Sequence, residues 1–248
     1  MKTQLLYKFF FGIVLIAALL VGCTGKKQQT PVTAHVNSVW DPFLDALQVR
    51  TIKFFLETTD PNTGLTPDRW PTPSPSSIAA VGFALTTYPI AAKRQIITRQ
   101  EAAERVLKTL RFFWQLPQSD HPQNVGGYKG FFYHFLKIPS GTREWNCELS
   151  TVDTALLLAG VLFCQSYFDG ATADEQTIRN LADSLYLRVD WKWAMAGQPG
   201  IVLGWKPENG FHHQYWDGYD EAMILYILAL GSPTHPVPET VWQTWIST

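Results

Sequence analysis

A short stretch near the C-terminal end of the sequence, GFHHQYWDGYDEAM (residues 210–223), combines aromatic rings with carboxylates. Asp217, Asp220 and Glu221 stand just before the apolar run ILYILAL, which predicts a buried helix. One of the two aspartates is expected to cap that helix, because a side-chain oxygen at a helix start accepts hydrogen bonds from free backbone N–H groups. Glu221 is then left to meet a substrate, and we predict it as a catalytic acid.

A second acidic stretch, NCELSTVDTALLLAG (residues 146–160), precedes another apolar helix. Ser150 and Asp153 have the spacing of a capping box with Asp in the place of Glu, so Asp153 is either a cap partner or an inward-pointing carboxylate. Glu148 lies before the helix and has no evident capping role. Glycoside hydrolysis requires a pair of carboxyl groups, and we predict Glu148 or Asp153 as the partner of Glu221.

Aromatic residues accompany both acidic stretches. They make up 14% of the chain and include ten tryptophans, and such rings either build a core or offer flat faces to a ligand. Stacking faces, an acid and a base on one concave surface are what a glycosidase needs. The predicted substrate-binding set is Trp145, Trp205, Phe211, His213, Tyr215, Trp216, Asp217 and Asp220.

Other kinds of site find little support in the sequence. His212 and His213 are adjacent, and neighbouring residues of an extended segment point to opposite faces, so we predict no metal site there. Neither a Gly-Lys-Ser/Thr phosphate loop nor a Gly-x-Ser-x-Gly elbow occurs. The formal net charge is −1, and the absence of a basic stripe argues against a nucleic-acid partner. We predict no cofactor.

The elements that must position these residues are helices. Apolar residues recur at helical spacing in seven segments, and Thr98–Glu101 and Thr172–Glu175 have capping-box spacing at two of their starts. Short β-hairpins are expected within the loops, around residues 126–138 and 195–207. The predicted helices are about 42–57, 77–92, 98–116, 150–168, 172–187, 220–230 and one from about 238.

The links between these helices alternate between long and short. In a stack of antiparallel helical hairpins, alternate links lie at opposite ends. The long links carry most of the aromatic and acidic residues, so we expect them to share one rim, with the short links at Gly170 and Gly231 at the other end. The pattern predicts an all-α toroid with one elaborated rim.

The first residues of the chain predict export. Lys2 and Lys8 precede an apolar run that ends in Leu-Val-Gly before Cys23, and the run is shorter than the ~20 residues of a spanning helix. This is typical of a lipoprotein signal peptide, the alternative being an uncleaved anchor. We predict a signal peptide (1–22), a tether (23–39) and one domain (40–248), with lipidated Cys23 holding the protein to a membrane of the bacterial cell envelope, on its periplasmic or outer-membrane face.

The other two cysteines, Cys147 and Cys164, have no metal-ligand spacing. A disulfide between them is compatible with an oxidising compartment. Two free thiols are the alternative.

Three stretches resemble the bacterial glycoamylase-like family: DPNTGLTPDRW (residues 60–70), CELSTVDTALLLAG (147–160) and GYDEAMILYILALGSPTHPVP (218–238). The family includes the endo-β-1,2-glucanases of glycoside hydrolase family 144 and is related to a domain of cyclic β-1,2-glucan synthases. The resemblance runs from about Val39 to the last residue. It implies an (α/α)6 barrel, inverting hydrolysis of a glucan, and no cofactor.

The same resemblance implies roles for individual residues. Glu221 matches the glutamate of the family's EAM segment, the best candidate for the general acid. Asp153 matches the aspartate of STxDTALL, and Glu148 matches the acid that precedes it. The family often has Asn at the position of Asp220, so Asp220 need not be catalytic. Because that barrel has twelve helices and this sequence predicts seven, we expect the N-terminal part of an (α/α)6 toroid, incomplete at the C-terminus.

The sequence therefore predicts a lipid-anchored glycoside hydrolase. Its expected substrate is β-1,2-glucan or a related glucan, cleaved by an inverting acid/base mechanism. One alternative is a surface glycan-binding lipoprotein without catalysis. The other is an inactive truncated product.

Overall fold

The computed structural model describes residues 41–247, and the predicted signal peptide, Cys23 and the predicted tether lie outside this range. Within it, all seven predicted helices are confirmed, although α6 begins at Met223, three residues later than predicted. None of these helices is long and apolar enough to cross a membrane. They are α1 (Pro42–Thr58), α2 (Ile78–Lys93), α3 (Arg99–Gln115), α4 (Thr151–Tyr167), α5 (Ala173–Leu187), α6 (Met223–Leu230) and α7 (Thr240–Ile246).

The helices pack in two layers. Helices α2, α4 and α6 are neighbours in one layer and α3 and α5 are neighbours in the other, and α2 packs on α3 and α4 on α5 across the layers. The two central helices approach closely, because a Cβ on Gly160 would lie only 2.2 Å from the carbonyl oxygen of Gly82. This alternation of inner and outer helices confirms the predicted all-α toroid of helical hairpins.

The two predicted capping boxes differ in the structure. At the start of α3, Thr98 and Glu101 form the reciprocal box. At the start of α5, Thr172 caps the Glu175 N–H at 3.2 Å, but the Glu175 carboxylate turns away to Arg99, 2.7 Å from its Nε. The box is therefore incomplete, because the buried carboxylate of Glu175 takes a guanidinium as its partner.

The long loops carry seven short strands, which join the loops to one another. The predicted hairpin at 126–138 is confirmed at 127–132, and the loop after α5 also holds a hairpin, displaced from the predicted 195–207 to 204–211. A 3-10 turn occupies Trp193–Met195, and residues 204–206 pair with 210–211 on one side and with 149–150 on the other. The strands are β1 (Ser76–Ser77), β2 (Gly127–Tyr128), β3 (Phe131–Phe132), β4 (Phe135–Leu136), β5 (Leu149–Ser150), β6 (Gly204–Lys206) and β7 (Gly210–Phe211).

The N-terminal ends of α2 and α4 lie at the rim. The Thr151 hydroxyl donates to Val202 O at 2.7 Å and accepts from Trp216 Nε1 at 3.0 Å, so the loop after α5 covers the start of α4. Gly170 lies at the other end of α4, against Glu175.

The turn after α6 does not share the far end with Gly170, contrary to the prediction. Gly231 lies beside Tyr186, and Thr234 Oγ1 donates to Leu187 O at 2.6 Å. Both contacts are at the end of α5, whereas Gly170 is at its start. The reason is length, since α6 has only eight residues, or about 12 Å of helix.

Both remaining cysteines are free thiols, so the disulfide alternative is not realised. Cys164 is buried on α4 and donates to Leu85 O at 3.1 Å. Burial raises the pKa of the Cys164 thiol, which keeps it protonated.

Candidate active site

His134 joins two rim segments through its backbone. Its N–H donates to Glu148 O at 3.0 Å, and its carbonyl accepts from Ile78 N at 3.2 Å. Ile78 is the first residue of α2, and Glu148 lies just before β5 and α4. His134 is thereby placed between the starts of two inner helices.

The side chain of His134 brings the two predicted carboxylates together. Its Nδ1 lies 2.9 Å from Glu148 Oε1, and its Nε2 lies 3.6 Å from Asp153 Oδ2. Ser150 Oγ accepts from Asp153 N at 3.2 Å and donates to the Asp153 carboxylate. Asp153 is therefore a partner of the Ser150 cap, and its carboxylate also faces the histidine.

The charges in this cluster stabilise one another. The hydrogen bond from His134, against the effect of burial, lowers the pKa of Glu148 to about 2. Burial of His134 lowers its pKa, but the Glu148 hydrogen bond and the charges of Asp153, Glu148 and Asp68 outweigh burial, and the net pKa is raised. Up to the ordinary histidine pKa of about 6.5, the pair is therefore ionic and Glu148 is a carboxylate.

Sequence reasoning missed His134. It stands in the aromatic segment GFFYHFL (residues 130–136), and its ring stacks on Phe135 with centroids 4.0 Å apart. A lone ionisable residue among aromatic ones, inside a hairpin already expected on the rim, was the available signal. What the spacing could not show is that residue 134 pairs with residue 148.

The three acids before α6 have different surroundings. Asp220 Oδ1 accepts from Ala222 N at 2.9 Å and from Trp245 Nε1 at 3.0 Å, so Asp220 is the acid that holds the start of α6. Asp217 and Glu221 are exposed, and neither makes a side-chain hydrogen bond or ion pair within residues 41–247. Tyr219, between them, is 85% exposed.

Some of the predicted substrate-binding aromatic residues form a packed cluster of rings beneath the rim. Trp193 is at the centre of this cluster. The centroid of its ring lies 5.7 Å from that of Trp205, 4.7 Å from that of Phe211 and 5.6 Å from that of Tyr128. These rings connect the loop after α3 to the loop after α5. Trp205 and Phe211 are half-buried, so part of each ring already has a packing role.

The other predicted binding residues divide by exposure. Trp216 donates to Thr151 and Tyr215 is half-buried beside Gly200, so both are held by loop packing. His213 and Trp145 are exposed. Of the predicted set, Trp145, His213 and Asp217 are thus the ones most open to a ligand.

An ion pair between a buried arginine and an exposed glutamate joins the same two loops. Arg143 Nη1 and Nη2 donate to Glu208 Oε1 and Oε2 at 2.6 and 3.0 Å. The guanidinium also lies 4.7 Å from the centroid of the Tyr133 ring. Because Tyr133 precedes His134, this contact supports the segment that carries the histidine.

A metal centre is not formed by these residues. Across residues 41–247, no group of three or more His, Cys, Asp and Glu side chains is arranged to hold an ion. The His134 cluster offers one imidazole whose nitrogens face Glu148 and Asp153.

Comparison with known proteins places these features in context. Residues 213–248 match a family model named "Glycoamylase" and described as "Putative glucoamylase". The exo β-1,2-glucooligosaccharide sophorohydrolase (non-reducing end) of Parabacteroides distasonis is 27% identical over 220 residues, which are 84% of this chain. The resemblance to the glycoamylase-like family is confirmed.

Solved structures agree on the fold. A Bacteroides fragilis protein of the same description as the family model superposes with a TM-score of 0.72 at 27% identity, over 84% of this chain and 50% of its own. The endo-β-1,2-glucanase of Chitinophaga pinensis, in complex with sophorotriose and glucose, gives a TM-score of 0.72 at 21% identity, over 84% of this chain and 50% of its own. At that identity the second likeness concerns the fold alone.

The match covers part of each relative. This chain spans 29% of the length of the sophorohydrolase and about half of the two structures.

Proposed function

We propose that this chain is part of a glycoside hydrolase that cleaves β-1,2-glucan. The observation that carries the proposal is the His134–Glu148 pair at 2.9 Å, placed with Asp153 at the rim of a helical toroid. The named activity of the 27% identical relative, which acts on β-1,2-glucooligosaccharides, supports the choice of substrate.

Glu148 suits the part of the base, with Asp153 beside it. A carboxyl group with a pKa of about 2 is ionised at neutral pH and cannot deliver a proton to a leaving group. An ionised carboxylate can instead orient and deprotonate the attacking water of an inverting reaction. The Glu148 side chain is about three-quarters buried.

Glu221 suits the part of the general acid. It is exposed beside Tyr219 and Asp217, so its carboxyl is open to the oxygen of a glycosidic bond. A bound sugar would cover it, and burial favours the neutral, proton-donating form of a carboxyl group. In an inverting enzyme the acid and the base are roughly 6.5–9.5 Å apart, with the water between them.

The first experiment separates a hydrolase from a glycan-binding protein. β-1,2-Glucooligosaccharides are incubated with the protein and with Glu221→Gln, products are followed by reducing-end assay and by the anomeric NMR signal, and binding is measured by calorimetry. We expect cleavage with inversion, lost in the variant by at least the 10²–10⁴-fold typical of general-acid catalysis, while binding persists. Binding without cleavage by the unmodified protein would identify a glycan-binding protein instead.

Membrane attachment through Cys23 is a separate proposal, motivated by the Leu-Val-Gly-Cys sequence at residues 20–23. Cys23→Ser should release the protein from the membrane fraction, because the acylated thiol is lost. A variant that is processed normally and still sediments with membranes would contradict the proposal.

A further inference from the structure

A groove in the rim lies next to the His134 cluster and has no part in the acid/base scheme. Residues 73–75 line it from the loop after α1, and Lys137, Ile138, Glu144 and Trp145 line it from the segment after β4. Its volume is about 440 Å³, within the roughly 300–1,000 Å³ of small-molecule sites. We propose that this groove is an accessory glucan-binding subsite in which Trp145 stacks on a sugar ring, an inference that rests on the proposed glucanase function.

The Trp145 side chain is exposed on the surface rather than packed in the core. Its side chain is 64% exposed, although a ring of this size is normally highly buried. Trp145 and Asn146 both have left-handed backbone conformations, with φ of +50° and +55°. Bulky residues rarely adopt this region, and such conformations concentrate at ligand-binding sites.

The turn that displays Trp145 is held rigidly from below. Arg143, whose side chain is 3% exposed, donates from Nε to Cys147 O at 2.6 Å and forms the ion pair with Glu208. Cys147 N donates to Glu144 O at 3.0 Å, which closes the turn around Trp145. The ring is therefore pre-oriented, and little conformational entropy is lost when it binds a ligand.

Ring contacts connect the groove to the proposed catalytic cluster. The Trp145 ring is 5.4 Å from the Phe135 ring, and the Phe135 ring is 4.0 Å from the imidazole of His134, centroid to centroid. The two contacts keep Trp145 within about 10 Å of the histidine that binds Glu148. A glucan chain lying at Glu148 can therefore extend over Phe135 to Trp145.

The polar residues of the groove favour a neutral ligand. Lys137 and Glu144 carry opposite charges, and their side chains make no hydrogen bond or ion pair with the rest of residues 41–247. They are free to bond sugar hydroxyls, whereas a charged polymer would meet both attraction and repulsion. Trp145 and Ile138 supply the apolar surface that matches the C–H face of a pyranose ring.

The test compares oligosaccharides of increasing length. Calorimetry with β-1,2-linked glucose oligomers is performed on the protein and on Trp145→Ala, Trp145→Phe and Trp70→Ala. Trp70 is the matched control, because it is 69% exposed on the loop after α1 and does not line the groove. Melting curves show whether each variant is folded.

We expect Trp145→Ala to weaken binding of long oligomers about tenfold, in keeping with the loss of one stacked ring, and to leave the disaccharide unaffected. Trp145→Phe should restore most of the affinity, and Trp70→Ala should change it less than about twofold. In turnover assays KM for long substrates should rise while kcat is unchanged.

Wild-type affinity in Trp145→Ala, or an equal loss in Trp70→Ala, would overturn the subsite even if β-1,2-glucan is cleaved. If the protein does not act on β-1,2-glucan but binds β-1,3- or β-1,4-glucan in a Trp145-dependent way, the subsite stands and the proposed substrate is wrong. Failure of every glucan to bind would overturn both.

Discussion

Two acidic regions of the rim differ in how they are held. Around His134, Glu148 and Asp153 are fixed by hydrogen bonds and by strand pairing between distant segments. At the start of α6, Asp220 alone is engaged, while Asp217 and Glu221 project into solvent. The first region holds a carboxylate against a cationic partner, and the second leaves two acids without a side-chain partner within residues 41–247.

This difference suggests a division of labour that each acid's surroundings determine. A base must be ionised before it can accept a proton, and a partner such as His134 secures that state. An acid is useful only when it can hold and release a proton near the working pH, which a permanent cationic partner would prevent. The comparison therefore supports the proposal of opposite roles for Glu148 and Glu221, which can be tested variant by variant.

The largest expected effect is on how the cleavage rates of the Glu221 and Glu148 variants depend on the leaving group of the substrate. In Glu221→Gln, a glucoside of a strongly acidic phenol should be cleaved at close to the wild-type rate, because its leaving group departs without a proton. In Glu148→Gln, the same substrate should stay at least 10²-fold slower, because the water is still not activated. Rates for both variants on the aryl glycoside and the natural-type oligosaccharide measure the contrast.

If the aryl glycoside restored the cleavage rates of Glu221→Gln and Glu148→Gln to the same extent, the proposal of opposite roles would be wrong. Asp174→Asn is the control for Glu221→Gln, since Asp174 is an exposed acid in the first turn of α5, outside both acidic regions, and it should leave the rates on both substrates within about twofold.

A smaller effect is expected on stability. His134→Gln should lower the free energy of unfolding by about 1.5–3 kcal/mol, the range for a charged hydrogen bond. The loss should be greatest between about pH 4.5 and 6.5. It should shrink as pH rises through the raised pKa of His134, where the wild-type histidine loses its charge, and as pH falls toward the Glu148 pKa of about 2.

Denaturant unfolding of the wild type and His134→Gln across this pH range provides the measurement. Glu148→Gln should show the same pH dependence, because either substitution removes the ionic pair. A stability difference that does not vary between pH 4 and 9 would mean that the pair is not ionic.

The smallest effect distinguishes the aspartates before α6. Asp220→Ala should cost about 1 kcal/mol, because Ala222 N and Trp245 Nε1 lose their acceptor. Asp217→Ala should stay within about 0.5 kcal/mol, since it has no such partner. Thermal melting of the two variants is sufficient, and a larger loss in Asp217→Ala would contradict the structure.

Local patterns in the sequence were enough for the helices. Apolar spacing and capping residues predicted all seven, since both depend on residues three or four positions apart. The start of α6 was misplaced because three acids within five residues, Asp217, Asp220 and Glu221, offered several plausible caps. The second hairpin was misplaced because Asp190 Oδ1 accepts from Trp193 N at 3.0 Å, starting a 3-10 turn before the expected strand.

By itself, the sequence determined the helical hairpins, the common rim of the long loops, and the acids that these loops carry. Only the tertiary structure decided the partners of those acids: His134 for Glu148 and Asp153, Arg99 for Glu175, and Trp245 for Asp220. Helix periodicity and capping act over one turn of chain, so they can be read in order along the sequence. The pairing of residues 14 to 76 positions apart depends instead on strand register and on how the helices stack, which no local pattern encodes.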